Sequence, residues 1–243
     1  MTLLDLRWDQ ARFRIVDVET TGFDPARDRV VEIAAVDLCP AEGVLERPTS
    51  HLVNPGRRIP AGARAVHGIS DAMVANAPPL EQVLDQYRDD RVVLVAHNAT
   101  FDAGFLPALS GPWLCTLRLA QHLFPQAPSY GNQALREWRG IDALPPWTQG
   151  LAAHRALYDA AVTGLVLDDL LGELRRSAPE VVTVADLLAF ARRPVLLKTI
   201  RFGKHRGQRF EDLPRSYLRW LAETDAWGED LAHTVRTLLE RRS

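Results

Sequence analysis

Cysteine is scarce in this sequence: two residues, Cys39 and Cys115, stand among 243. A pair so far apart makes neither a disulfide framework nor a Cys-x-x-Cys metal site, and a reducing, cytoplasmic setting is the expectation. Long apolar runs are missing too. No stretch reaches the roughly 18 residues that a membrane-spanning helix needs, so no membrane partner is expected. The opening Met1-Thr2-Leu3-Leu4-Asp5-Leu6-Arg7-Trp8 lacks the basic start and long apolar stretch of a signal peptide. There is no internal repeat and no low-complexity tract. Excess charge of one sign is also absent: 29 Lys and Arg face 31 Asp and Glu, a net charge of −2. The total therefore argues neither for nor against a polyanionic partner.

What is present is an ordinary globular composition, 47% hydrophobic and 25% charged. The length suits one domain of about 150–200 residues plus something smaller. The charge is unevenly spread. Residues 192–219 carry nine basic side chains against Glu211 and Asp212, a local +7 that leaves the remainder near −9. Segregation of this kind points to polyanion binding more than the total does.

The apolar pattern gives the elements. Residues 13–19, 30–38 and about 44–53 read as strands, with spacings short enough for antiparallel neighbours. Residues 80–89 read as helix. Arg91-Val92-Val93-Leu94-Val95-Ala96 is a near-continuous apolar run, as expected of a strand buried on both faces. A helix starts near Thr100, a short strand covers Trp113–Thr116, and helices follow over 117–124, 132–138 and 154–174. Three strands, helix, strand, helix, strand and helices make an α/β layer with a mixed sheet. Ser177-Ala178-Pro179 reads as a linker, dividing the chain into domains 12–176 and 177–243. The second holds a short helix opened by Thr183 and Asp186, a hairpin around Gly203-Lys204-His205-Arg206-Gly207, and helices near 214–223 and 229–241.

Several carboxylates stand where a cation would be useful. Asp17 and Glu19 are two apart on a strand and so share a face. Like charges this close in an apolar element need compensation, and a hard divalent ion provides it, unless the strand end simply emerges into solvent. Asp102 follows the buried strand, where sites collect in open α/β sheets, although the first turn of a helix favours an acid in any case. His154 and Asp159 are five apart, about 140° around a helix, so both reach one site only if His154 precedes the helix or sits in its first turn. An exposed Asp159–Arg155 pair is the plain alternative.

In this order the pieces resemble the DEDDh 3′→5′ exonuclease family. Its pattern is met by Asp17-Val18-Glu19-Thr20, by Val66-His67-Gly68-Ile69, by His97-Asn98-Ala99-Thr100-Phe101-Asp102, and by His154 with Asp159. The resemblance covers about residues 13–172. In one bacterial branch it extends into the tail, through Trp113–Ala120, Phe202–Gly207 and Tyr217–Leu221. His205 stands where that branch suggests an aromatic residue, and the first ten residues precede the usual start.

The resemblance implies a ribonuclease H-like fold: a mixed five-stranded sheet flanked by helices, with a small C-terminal α+β appendage. It implies a two-metal hydrolysis of phosphodiesters using Mg²⁺, with Mn²⁺ as the other option. Asp17, Glu19, Asp102 and Asp159 would bind the metals and His154 would act as general base, histidine being the side chain that changes protonation near neutral pH. Phe23 would meet the terminal base or else fold into the core. Thr20, His67 and Asn98 would touch the terminal nucleotide, unless Thr20 merely ends the strand and Asn98 caps a helix. Lys204 and Arg206 would contact phosphates, while Tyr217 and Trp220, three apart on a helix, read as core. The expected substrate is DNA with a free 3′ end, cut to deoxynucleoside 5′-monophosphates. An exoribonuclease taking RNA and a polymerase proofreading subunit are the alternatives. Repair, recombination and replication-linked roles all suit this chemistry.

Overall fold

A computed structural model describes residues 2–224 and 228–241. The chain divides into two compact units, Met1–Ala191 and Arg192–Ser243.

The first unit is built on the strands β1 (Arg12–Thr20), β2 (Val30–Cys39), β3 (Val44–Leu52), β4 (Val92–Ala96) and β5 (Trp113–Cys115), in the order β3-β2-β1-β4-β5. β1 pairs antiparallel with β2, and β2 with β3. β1 with β4, and β4 with β5, are parallel. This is the expected mixed five-stranded sheet. The helices are α1 (Ala61–His67), α2 (Asp71–Val74), α3 (Leu80–Val83), α4 (Ala99–Phe105), α5 (Thr116–Leu123), α6 (Asn132–Trp138), α7 (Ala156–Ser177) and α8 (Val184–Arg192). The helix expected over 80–89 is shorter, because the chain tightens into a 3-10 turn at Leu84–Gln86. α1 and α2 escape sequence reading, being too short to show an apolar period.

Alternation along β1 sorts its side chains between two cores. Phe13 and Ile15 pack on one face with Val36, Leu38 and the inner side of α7. Val16 and Val18 pack on the other with Ile33, Ala35 and Phe105. α7 lies so close to the sheet that a Cβ at Gly164 would stand 2.6 Å from the Leu45 side chain. Within the second face Arg14 is buried and donates to Asp37 at 2.8 and 3.0 Å and to the Tyr87 carbonyl at 3.1 Å. A buried charge persists only with such partners.

Residues 6–8, ahead of the first strand, also have structural work. Trp8 is buried and donates its indole N–H to the Val181 carbonyl at 2.8 Å. Backbone bonds from Trp8 to Val182 and from Val184 to Leu6 tie this segment to the start of α8. Ala178, Val181, Val184, Leu187 and Ala191 are consequently buried in the first core. The boundary expected at 176/177 therefore falls after Ala191: a segment that looks like a linker by its Ser-Ala-Pro is held by its apolar neighbours.

The second unit has its own core of Ile200, Phe210, Leu213, Leu218, Leu221, Leu231, Val235 and Leu238. Its helices are α9 (Arg215–Ala222) and α10 (Glu229–Arg241). The expected hairpin is reduced to one bridge, Thr199–Arg209, around a 3-10 turn at Gly203–His205. Gly203 and Gly207, both at positive φ, bend the limbs out of strand geometry. Among the described residues the appendage is therefore helical rather than α+β.

Asp37→Ala is expected to leave the buried Arg14 without its carboxylate partner, at a cost of about 3–5 kcal/mol. Urea unfolding followed by circular dichroism measures it; a midpoint unchanged from the wild type would contradict the packing described.

Candidate active site

The parity that sends Phe13 and Ile15 toward α7 sends Asp17 and Glu19 the same way. The apolar surface of β1 thus ends in two acids beneath the N-terminal end of α7. Pairing of β1 with β4 stops at Ile15–Val95, so the β4-side edge of β1 opens beyond that point. Into this opening reaches Asp102, buried in the first turns of α4, which accepts the Val18 backbone N–H at 3.2 Å. Asp159 arrives from the first turn of α7. One carboxylate oxygen each from Asp17, Glu19 and Asp159 lie within 4.8 Å of one another. Asp102 stands outside that trio but beside Asp17, on which it exerts the largest of the charge effects.

Electrostatically the cluster is costly. Burial pushes the Asp17 carboxyl well above the usual carboxylate range, and repulsion from Asp102, Asp159, Glu19 and Glu32 adds to it. Glu19 is pushed up to about 8, by burial first and then by Asp159 and Glu32. Asp102 rises to about 7 through burial, opposed by its backbone hydrogen bonds. Asp159 is raised by burial, and the His154 N–H and imidazole pull it back. The cation closest in sequence, Arg155, is already committed to Glu32. An all-oxygen, multiply acidic site whose neighbouring Arg155 is held by Glu32 fits a divalent metal ion.

Glu32 is the residue that sequence reasoning missed. It is 1% exposed on β2, opposite Glu19. It accepts from Arg155 Nε at 3.0 Å and from Arg155 Nη2, and takes the Ala156 backbone N–H at 3.0 Å. A carboxylate at that spot caps the N-terminus of α7 and pins its start to the sheet. The signal was available: a lone Glu in Val30-Val31-Glu32-Ile33-Ala34-Ala35-Val36 demands a partner if the strand is buried. The pair also means that Arg155 does not serve Asp159.

His154 precedes α7, as the angular argument required. Its backbone is left-handed, at φ 62°, and its N–H donates to Asp159 Oδ2 at 3.0 Å. The residue is exposed beside the carboxylates. Gln133 reaches Asp159 at 3.4 Å, and Asn132 ties Thr163 to the same turn at 2.8 Å.

The remaining expected residues separate. Phe23 is 89% exposed, so the core reading does not hold for it. Its loop is fixed by Asp28, which accepts the Thr21 hydroxyl and the Asp24 N–H, each at 3.0 Å. Phe101 lies behind the Phe23 ring, centroids 6.4 Å apart. The Asn98 side chain forms no cap, although its backbone, at φ 75°, is the N-cap of α4. Thr20 is buried and donates its hydroxyl to the Gly22 carbonyl at 2.5 Å, which shapes the turn. His67 is buried, and burial lowers its pKa. Its Nδ1 accepts the Ile69 N–H at 3.0 Å, so the neutral ring carries its proton on Nε2, which finds no well-formed partner. Lys204 and Arg206 are exposed in the second unit. Trp220, read as core, is 49% exposed instead: Leu218 and Leu221 fill the inner side of α9, and Trp220 falls outside it.

With this geometry, similarity to known proteins is specific. The sequence profile of the RNase T exonuclease family matches residues 15–167. Exodeoxyribonuclease 10 of Escherichia coli (strain K12) is 38% identical over 231 residues, spanning 93% of this chain and 98% of that protein. A DNA polymerase III subunit epsilon-like protein of Rhodobacter capsulatus is 38% identical over 178 residues, 69% of this chain and 25% of that protein. The solved structure of exonuclease X in complex with 5′-overhanging duplex DNA has a TM-score of 0.62 and 40% identity, covering 72% of this chain and 99% of that one.

The raised carboxyls make stability depend on pH. Between about pH 4, the ordinary carboxylate range, and about 8 for Glu19, the folded protein holds protons that the unfolded chain has released. Without metal, stability therefore falls as pH rises through that window. In EDTA at about pH 8, Asp17→Asn is expected to raise the thermal midpoint, by about 2–4 °C per kcal/mol of relieved repulsion, and the gain to shrink toward pH 5. Mg²⁺ or Mn²⁺ should raise the wild-type midpoint more than that of the variant. Midpoints indifferent to both metal and substitution would contradict the electrostatic account.

Proposed function

Because this chain belongs to the RNase T exonuclease family, we propose that it is a metal-dependent 3′→5′ exodeoxyribonuclease that releases deoxynucleoside 5′-monophosphates from DNA ends. The observation that carries the reading is the carboxylate trio of Asp17, Glu19 and Asp159 within 4.8 Å, inside the region matched by the family. DNA as substrate is supported by the likeness to exodeoxyribonuclease 10 and to exonuclease X, the latter solved on duplex DNA with a 5′ overhang, hence a recessed 3′ end. Alignment with 98% of exodeoxyribonuclease 10, against 25% of the epsilon-like protein, favours a free-standing nuclease over a proofreading subunit. A DNA-repair role in the cytoplasm is part of this proposal. Among the described residues no helix is long and apolar enough to cross a membrane.

Asp17, Glu19, Asp102 and Asp159 would hold two Mg²⁺ ions, with Mn²⁺ the other candidate. Bound there, such ions neutralise charge on the phosphate and the leaving oxygen and make a water easier to deprotonate. His154 takes the proton from the attacking water. Its left-handed backbone, with N–H anchored on Asp159, keeps the imidazole at the mouth of the site rather than along α7. Asp159 thus serves both the metal and the base. The Glu32–Arg155 pair holds the start of α7, and with it the spacing between Asp159 and the β1 acids.

Around the centre, Phe23 stacks on the terminal base, an interaction worth about 1–3 kcal/mol. Asn98 offers its uncapped amide to the terminal nucleotide, and His67 its buried Nε2–H. Thr20 has already given its hydroxyl proton to Gly22, so it acts toward a 3′ hydroxyl as an acceptor. Lys204 and Arg206 contact phosphates. The carboxylates do not distinguish deoxyribose from ribose, so RNA is the substrate to exclude.

End-labelled DNA and RNA of the same sequence, incubated with Mg²⁺ or with EDTA, test the proposal. Stepwise loss from the 3′ end of DNA is expected, abolished by EDTA and reduced at least about a thousandfold by Asp17→Ala, roughly 4 kcal/mol of barrier. Faster loss of RNA selects the exoribonuclease. His154→Ala should retain DNA binding while losing at least about a hundredfold in turnover, and near-normal turnover would remove the general base. Phe23→Ala should lower kcat/KM on DNA about five- to a hundredfold and leave the thermal midpoint unmoved; an unchanged kcat/KM would return Phe23 to a bystander.

A further inference from the structure

The second unit carries an aromatic surface beside Lys204 to which no role has been given. α9 turns Leu218 and Leu221 inward and leaves Trp220 half exposed. Trp220 stacks on Tyr217, centroids 5.2 Å apart and planes 26° apart. Tyr217 in turn meets His205 at 4.4 Å, and the Lys204 ammonium stands 5.4 Å from the Tyr217 ring centre. The turn that delivers Lys204 and His205 packs tightly on this stack: a Cβ at Gly203 would lie 3.1 Å from the Tyr217 hydroxyl, and Gly203 has φ 65°. Glycine is therefore what lets the basic turn rest on the aromatic column.

A lone exposed ring needs no partner, but a half-exposed indole stacked with Tyr217 and His205 beside Lys204 makes an aromatic platform that a ligand can cover. Nine basic residues against two acidic ones in 192–219 decide what that is. A second copy of the same surface would bring like charges together. A polyanion with flat, stackable groups satisfies both the charge and the rings, and an unpaired nucleic-acid strand is that chemistry: its phosphates meet cations while its bases stack on aromatic faces. Inside a duplex the bases are stacked on each other, and only the terminal pairs keep a free face.

We propose that the Trp220–Tyr217–His205 column with Lys204 is a binding site for an unpaired DNA strand, in which Trp220 stacks on a base and Lys204 pairs with a phosphate. This rests on the nuclease reading for the choice of DNA, but the site is separate from the carboxylate centre in the residues it uses.

Fluorescence anisotropy tests it, with the full-length protein and a labelled single-stranded 20-mer in EDTA, where no cleavage occurs. Trp220→Ala is expected to weaken binding about five- to a hundredfold with no change in the slope of log K against log salt, and Trp220→Phe to recover most of the loss. Lys204→Ala should flatten that slope by about 0.7. Affinity for a blunt duplex should change less than twofold in Trp220→Ala. Single-strand affinity within twofold of wild type in Trp220→Ala, or an equal loss on the blunt duplex, would overturn the proposal. Should Trp220→Ala lower the thermal midpoint, the slope in Lys204→Ala decides, and an unchanged slope overturns it. Hydrolysis of a dinucleotide with Mg²⁺ separates the two readings. Wild-type protein that binds the strand but cleaves nothing sinks the nuclease and leaves this site standing; normal cleavage with Trp220 inert does the reverse.

Discussion

Loss of hydration, with repulsion added at Asp17 and Glu19, in a cluster of partly buried carboxylates is the constraint around which this molecule is arranged. Asp17, Glu19 and Asp159 are held within 4.8 Å, with Asp102 beside Asp17, in surroundings that raise all four above the ordinary range. Left alone, such a group would move apart or take up protons. It stays together because each acid is carried by an element whose position is decided elsewhere. β1 is locked between β2 and β4, α4 follows a strand buried on both faces, and α7 is packed along the sheet. Folding energy from the apolar cores thus sustains an arrangement that gains its own stabilisation only when a cation arrives.

The joints between these elements are polar, few and directional. Asp102 accepts the Val18 N–H at the point where β1 leaves β4. Glu32 holds both Arg155 and the first N–H of α7. The His154 N–H lies on the Asp159 carboxylate. Two of the joints end on carboxylates of the cluster and the third pins the start of α7, so a shift of α7 or α4 would be felt at the cluster itself. Farther out, Asp28 fixes the loop that holds Phe23 in solvent. The exposure of that ring is thereby a built feature and not an accident of a loose turn.

How much of this was readable without coordinates follows from the kind of signal each residue leaves. Period-two alternation put Asp17 and Glu19 on one face, and helical geometry put His154 ahead of α7; both hold because they depend only on local backbone. The burial of β4 was legible in the apolar run 91–96, although its parallel pairing with β1 was not. Glu32 was harder, because its role lies in a partner 123 residues away. The N-terminal segment was opaque for the same reason: Trp8 is explained only by Val181 and the α8 segment. Ser177-Ala178-Pro179 misled by composition, since burial of Ala178 and Val181 outweighs turn chemistry. Trp220 misled by spacing. Three-residue separation from Tyr217 does mean a shared side of α9, but not that the side faces inward.

The account stands or falls on protons. If the carboxyls are held up as described, a divalent ion must displace protons as it binds, because the ligands need to be ionised. Calorimetric titration of the metal-free protein with Mn²⁺ near pH 7, repeated in buffers of different ionisation enthalpy, counts them. At least about one proton released per protein is the expected result, consistent with Glu19 near 8, with the count declining toward zero well above that pH. Tight binding with no proton release, or no binding that Asp17→Asn abolishes, would contradict the central claim.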